Sequence, residues 1–131
     1  MVKILVTGSE GRFAKILKKI PSKHDFIFKS KKDLNILSSK SILKNLKKFK
    51  PKYILHLAGL SRPMSIHDKN IVKSINLNII GTSNIVKEAS KYNIKVIYLS
   101  TSYVYQGLKG NYKESDPIKP WNNYSWSKLG G

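Results

Sequence analysis

The 131-residue chain has no cysteine, which excludes disulfides, thiolate metal sites and a cysteine nucleophile. Its three histidines, at 24, 56 and 67, are scattered without metal-ligand spacing, so no metal site is expected. It has no run of eighteen apolar residues and no signal-peptide pattern. A soluble, cytoplasmic protein with no membrane partner is the expectation. Acidic residues are scarce: seven Asp and Glu stand against 25 Lys and Arg, a formal net charge of +18. Such a charge invites a nucleic-acid reading, because a basic face releases counterions from phosphate. Yet arginine, the side chain preferred for reading phosphate and bases, occurs only at Arg12 and Arg62. The excess of Lys, Ile and Asn together reads as a coding bias toward A and T, and the lysines as solvated helix faces. No nucleic-acid partner is expected.

What the chain does contain is a strand, a glycine turn and a helix at its start. Val2-Lys3-Ile4-Leu5-Val6 is apolar and largely β-branched, and runs into Thr7-Gly8-Ser9-Glu10-Gly11-Arg12-Phe13-Ala14 and an apolar-periodic helix over residues 13–20. A strand apolar on both faces suits the middle of a parallel sheet. The helix start behind it offers unpaired N–H groups and a positive dipole end to an anion. Gly8, Gly11 and Ala14, three apart, fit a Gly-x-x-Gly-x-x-Gly/Ala variant of the dinucleotide fingerprint: a tight turn, a close backbone approach to pyrophosphate, and tight helix-strand packing.

The alternation continues. Residues 24–28 read as a second strand, a polar stretch covers 29–35, and Ser38 or Ser39 caps a helix carrying Ile42, Leu43, Leu46 and Phe49 that Pro51 stops. Residues 53–57 form a third strand, a long helical pattern runs from Ser65 or Asp68 to Tyr92, and residues 94–100 form a fourth strand. A last helix begins near Asn122 or Asn123. This pattern predicts an α/β fold with a parallel, doubly wound sheet ordered 3-2-1-4, its crevice between the first and fourth strands. An acidic residue after strand two would hold the ribose 2′-OH of NAD, whereas Lys29-Ser30-Lys31-Lys32, with Arg12 near, suits the 2′-phosphate of NADP. NADP is therefore expected in preference to NAD.

A second motif is more specific. Ser100-Thr101-Ser102-Tyr103-Val104-Tyr105 ends the fourth strand, and Tyr124-Ser125-Trp126-Ser127-Lys128 follows on a helix start. Tyr124 and Lys128, four apart, share a helical face. A free tyrosine ionises near pH ~10, so proton exchange with a substrate oxygen at neutral pH needs a neighbouring cation. Lys128 supplies it, and a hydroxyl at Thr101 can bond the same oxygen and hold it in line for hydride transfer.

Together these residues resemble the extended short-chain dehydrogenase/reductases, the group of sugar-nucleotide epimerases, dehydratases and reductases with a Rossmann-like fold. The resemblance makes Thr101, Tyr124 and Lys128 the catalytic set. It likens Gly8, Ser9, Gly11, Arg12 and Phe13 to the cofactor loop, with Ser30 and Lys31 beyond strand two. Ala58 and Gly59 resemble the segment packing on the cofactor, Asn78 opens an Asn-x-x-Gly-Thr helix, and Ser100, Tyr124 and Lys128 complete the cofactor set. Within the family, Tyr103-Val104-Tyr105-Gln106-Gly107, residues 110–116, Pro120 and Ser127-Lys128-Leu129 are most similar to the dTDP-4-dehydrorhamnose reductase group. That group usually has Asp at the positions of Ser102 and Asn35 and Gly at that of Ser125. The implied activity is reduction of a 4-keto sugar nucleotide, with epimerase, dehydratase or a non-catalytic NADP-binding regulatory subunit as alternatives. Family members run to roughly 280 residues. The resemblance therefore implies that residues 1–131 are the N-terminal part of an NAD(P)-binding domain without its substrate lobe, that the nucleotide sugar is a partner of the complete protein, and that a homo-oligomer stays open.

Overall fold

A computed structural model describes residues 1–131. Four strands, β1 (Lys3–Thr7), β2 (Asp25–Lys29), β3 (Tyr53–His56) and β4 (Lys95–Tyr98), form one parallel sheet. Between them lie α1 (Arg12–Leu17), α2 (Ser39–Phe49), and a helical run made of α3 (Ile66–Lys69), α4 (Ile71–Ile75), a π-helical turn (Asn76–Ile80) and α5 (Gly81–Ser90). After β4 a 3₁₀ turn (Ser102–Val104) and an irregular stretch lead to α6 (Asn123–Gly130). The fold is the doubly wound α/β architecture that the alternation predicts.

The strand order is corrected. The sheet runs β2-β1-β3-β4, so the third strand lies beside the first, and the fourth beside the third. Right-handed crossovers are compatible with either arrangement, and handedness does not choose. Burial does. Ile54 in β3 is completely buried and needs a strand on each side, whereas β2 is half-exposed along its length with Asp25 and Lys29 at its ends, as suits an edge. The crevice moves accordingly to the carboxyl ends of β1 and β3, whose connections depart to opposite faces.

Ladder register sets Ile27, Leu5, Ile54 and Val96 side by side across one face. Onto it pack Ile42 and Leu46 of α2 and Ile85 and Ala89 of α5, each large aliphatic side chain contributing about 1.5–3 kcal/mol when fully buried. The Ser38 hydroxyl caps α2 by accepting from the Ser41 N–H, and Lys50, left-handed at φ 46°, ends it before Pro51. The single long helix expected from Ser65 or Asp68 to Tyr92 is interrupted. Asn70 leaves helical geometry (φ −143°, ψ 74°), and its side chain accepts from the Lys73 N–H to start α4. Asparagine gains more as a cap than inside a helix.

The opposite face is much barer. Only α1 lies over it, with Ala14 buried and Lys18 Nζ 5.1 Å from the Phe28 ring centre. On β4, the outermost strand, Ile97 is 48% exposed and Leu99 just beyond it 37%. No helix is long and apolar enough to cross a membrane. An edge strand with an exposed apolar face pairs readily with other chains. The isolated 131-residue chain is therefore expected to self-associate in light scattering, and Ile97→Lys to reduce that association. A concentration-independent monomer would contradict this.

Candidate cofactor cleft and Tyr-Lys site

At the carboxyl end of β1, Gly8 turns the chain with φ 70°, and a Cβ there would stand 2.7 Å from the Ala58 nitrogen and 2.9 Å from the Leu57 carbonyl carbon. The position demands glycine for both its conformation and its contact. Thr7 Oγ1 accepts from the Ala58 N–H at 3.1 Å, and the Ser9 N–H donates to the Lys29 carbonyl at 3.1 Å, so the turn is tied to β3 and β2. α1 begins after Gly11 with no side chain capping its first turn. Gly8, Gly11, Lys31, Ala58 and Gly59 line one cleft of about 210 Å³, floored by Leu34, Ile36, Leu57 and Leu77. These five are among the residues the sequence nominated, whereas Glu10 and Asn35, which also line the cleft, are not; Arg12 and Phe13 stand exposed beside them on the first turn of α1.

Beyond β2 the nominated residues separate. The Ser30 hydroxyl donates to Asp33 Oδ2 at 2.7 Å, and its N–H joins at 3.2 Å; these bonds hold the Asp33 carboxyl below its usual range. Lys29 Nζ sits 4.2 Å over the Phe49 ring. Lys31 lines the cleft, and Lys32 and Arg12 are exposed cations without a carboxylate in ion-pair contact. A turn with glycine at both ends, an uncapped helix start and an apolar floor with Lys31 at its rim fit a dinucleotide phosphate, and Glu10 is the one acidic group in the lining.

The second cluster is built by α6. Asn122 Oδ1 accepts from the Ser125 N–H at 2.8 Å while Ser125 Oγ accepts from the Asn122 N–H at 3.1 Å, a reciprocal cap that starts the helix. This gives the completely buried Ser125 a local role. The Tyr124 ring packs against His67 at 4.9 Å and meets Tyr103 edge-on at 6.0 Å. Lys128 Nζ lies 4.1 Å from the centre of the Tyr98 ring, and burial pushes its pKa down to about 8. Thr101 Oγ1 accepts from the Tyr103 N–H at 3.3 Å, which leaves its own proton for another acceptor, and Ser100 stands exposed after β4.

Asn78 requires a correction. Nominated for the cofactor, it is buried, and its amide is consumed within the chain: Oδ1 accepts from the Leu60 N–H at 2.6 Å, while Nδ2 donates to the Leu60 carbonyl and to Ser127 Oγ, both at 2.8 Å. It fastens the loop after β3 to the helix carrying Tyr124 and Lys128.

His56 and His67, which lack metal-ligand spacing in the sequence, are both buried beside nominated residues. Thr82 Oγ1 donates to the Asn78 carbonyl at 2.7 Å, so it accepts from His56 Nε2 at 3.2 Å, and His56 Nδ1 accepts from Thr7 Oγ1 at 2.8 Å. These directions hold for the neutral ring protonated on Nε2, the form that burial favours. Burial, aided by the charge of Lys128, pushes its pKa down to about 4. His67, also buried, bonds Ser74 Oγ through Nδ1 at 2.7 Å and backs Tyr124. The signal for His56 lay in the pattern: it shares the inward face of β3 with Ile54, where a polar side chain needs partners.

A family model described as the RmlD substrate binding domain matches residues 2–131. The chain belongs to that family. It is a short-chain dehydrogenase/reductase-like family, and the dTDP-4-dehydrorhamnose reductase resemblance read from the motifs holds. The reductase of that name from Aggregatibacter actinomycetemcomitans is 26% identical over 135 residues, covering all of this chain and 46% of the relative. Methionine adenosyltransferase 2 subunit beta from Xenopus tropicalis is 33% identical over 98 residues, covering 75% of this chain and 29% of the relative. Among solved structures, dTDP-4-dehydrorhamnose reductase from Bacillus anthracis in complex with NADP superposes with a TM-score of 0.90 at 26% identity, over 98% of this chain and 47% of that one. The chain thus spans less than half the length of these relatives.

For this family member the buried His56 sets an acid limit. With a folded pKa near 4 against about 6.5 unfolded, the unfolded chain binds more protons between those values, so stability falls as pH drops from 6.5 toward 4. The loss is on the order of 3 kcal/mol. In thermal melts from pH 7 to 4, His56→Gln should show a shallower decline than the parent chain. Parallel declines would refute the assignment.

Proposed function

We propose that residues 1–131 form the N-terminal, cofactor-binding part of an NADP-dependent reductase acting on a 4-keto sugar nucleotide. The observation that carries this reading is Tyr124 and Lys128 on one face of α6, with Thr101 at the end of the neighbouring strand and a glycine-lined cleft one strand further in. Support comes from the Bacillus anthracis reductase, which shares the fold and binds NADP.

In this reading Gly8, Ser9, Gly11 and the start of α1 would hold the dinucleotide phosphates, Lys31 and Arg12 the 2′-phosphate, and Ser100, Tyr124 and Lys128 the nicotinamide end. NADPH, when bound, supplies the hydride to the carbonyl carbon. Tyr124 gives its phenolic proton to the carbonyl oxygen, so that the ketone becomes a secondary alcohol. Lys128, as ammonium, stabilises the phenolate left behind. Thr101 donates a hydrogen bond to the same oxygen and fixes its direction.

The methionine adenosyltransferase relatives favour a second reading. Their name is that of a subunit, and a chain of that kind would bind NADP without turnover.

Two measurements test these readings, the first the shared cofactor and the second the turnover that divides them. Titration of the 131-residue chain should show tighter binding of NADP than of NAD, and Lys31→Glu should weaken NADP by roughly 10-fold or more while leaving NAD nearly unchanged. Equal affinity for the two in the parent would remove the NADP assignment. In a polypeptide that joins these residues to a substrate lobe, Tyr124→Phe should lower kcat by roughly 10²- to 10⁴-fold with cofactor affinity retained. Undiminished turnover would refute the catalytic role, and a parent that binds NADP but never turns over would favour the subunit reading.

A further inference from the structure

Lys128 is half-buried, yet no carboxylate pairs with it: the two ion pairs of the chain are Lys91 with Glu88 and Lys109 with Asp116. An ammonium withdrawn from water without a counter-charge is costly. What meets it is the face of Tyr98, 4.1 Å from Nζ to ring centre, well within cation–π range. Tyr98 reaches α6 a second time, because its hydroxyl donates to the Lys128 carbonyl at 3.1 Å. One side chain thus grips both the backbone and the ammonium group of the same lysine.

Tyr98 is itself held. It is the ladder partner of His56 and stacks on that ring at 5.9 Å with 28° between planes. His56 is bonded at both nitrogens. The far end of α6 closes on the same spot: a Cβ at Gly131 would stand 2.6 Å from the Tyr98 hydroxyl. Burial pushes the Tyr98 phenol up to about 12, so it remains a donor throughout the physiological range.

We propose that Tyr98 is the positioning residue for Lys128, its ring standing in for the absent counter-charge. The functional meaning rests on the assignment of Lys128 as the cation beside Tyr124; the clamp itself does not. Burial alone pulls the Lys128 pKa to about 8, close to the point where the ammonium would be lost, and a π face opposes that loss. The titratable groups around it are neutral His56 from β3, Tyr98 from β4 and Tyr124 from its own helix.

The test is an NMR titration of lysine side chains in the full 131-residue chain, with Lys128→Arg identifying the Lys128 resonance. In the parent, the Lys128 Hε protons should lie upfield of the other lysines through the ring current of Tyr98; a shift coincident with solvated lysines would overturn the proposal without any Tyr98 variant. Tyr98→Phe, which keeps the ring, should leave the Lys128 pKa in place, and Tyr98→Leu should lower it by about 0.5 to 1 unit. An unchanged or raised pKa in Tyr98→Leu would also overturn it. NADP affinity should fall roughly 3- to 10-fold in Tyr98→Leu and little in Tyr98→Phe. If the parent binds no NADP, the cofactor reading fails while the proton titration still decides the clamp.

Discussion

The amide of Asn78 is the contact on which the site depends. From inside the π-helical turn it fills both hydrogen-bonding positions of Leu60 and one of Ser127, so one side chain joins the loop after β3, the long helical run and α6. Each of those groups is buried or half-buried, and a buried donor or acceptor left without a partner costs roughly 1–3 kcal/mol. The surrounding backbone has been shaped to the contact. Gly59 passes where a Cβ would be 2.9 Å from Asn78 Oδ1, and Gly81, closing the π turn, sits where a Cβ would be 2.5 Å from the Ile36 side chain. A π-helical turn adds a residue to the helix and re-aims its side chains, and here the re-aimed residue is Asn78.

A row of ladder partners joins the two halves of the site. Thr7, His56 and Tyr98 stand side by side on β1, β3 and β4. Thr7 receives the Ala58 N–H beside the glycine turn, His56 bonds Thr7 and Thr82, and Tyr98 receives Lys128. Because β3 separates β1 from β4, the glycine turn and the Tyr-Lys pair are not strand neighbours, and this polar row is the material between them. Its neutrality matters: a charged His56 would lie near the Lys128 ammonium with no carboxylate to compensate.

The two faces of the sheet are unequal. Ile27, Leu5, Ile54 and Val96 lie under α2 and α5, whereas beyond α1 the other face leaves Ile97 and Leu99 open. Relatives that extend to about twice this length have further chain with which to meet such a face. Within these 131 residues, the ordering of the cleft comes from the well-covered side.

Local physics was legible from sequence. The apolar strands, the helical spacing of Ile42 and Leu46, the glycine turn at Gly8 and Gly11, and the four-residue interval from Tyr124 to Lys128 each depend on neighbours within a few positions, and each stands where the pattern placed it. The order of the strands was not legible, because right-handed crossovers permit β3 on either side and only the complete burial of Ile54 decides. Nor were the break at Asn70, which a side-chain cap wins against a helical pattern, or the diversion of Ser30 to Asp33 and of Asn78 to Leu60 and Ser127. A motif names a residue type, but which partner takes its hydrogen bonds depends on what the fold brings within 3 Å. The roles of His56, His67 and Tyr98 arise only there, from partners 49, seven and 30 residues away in the chain.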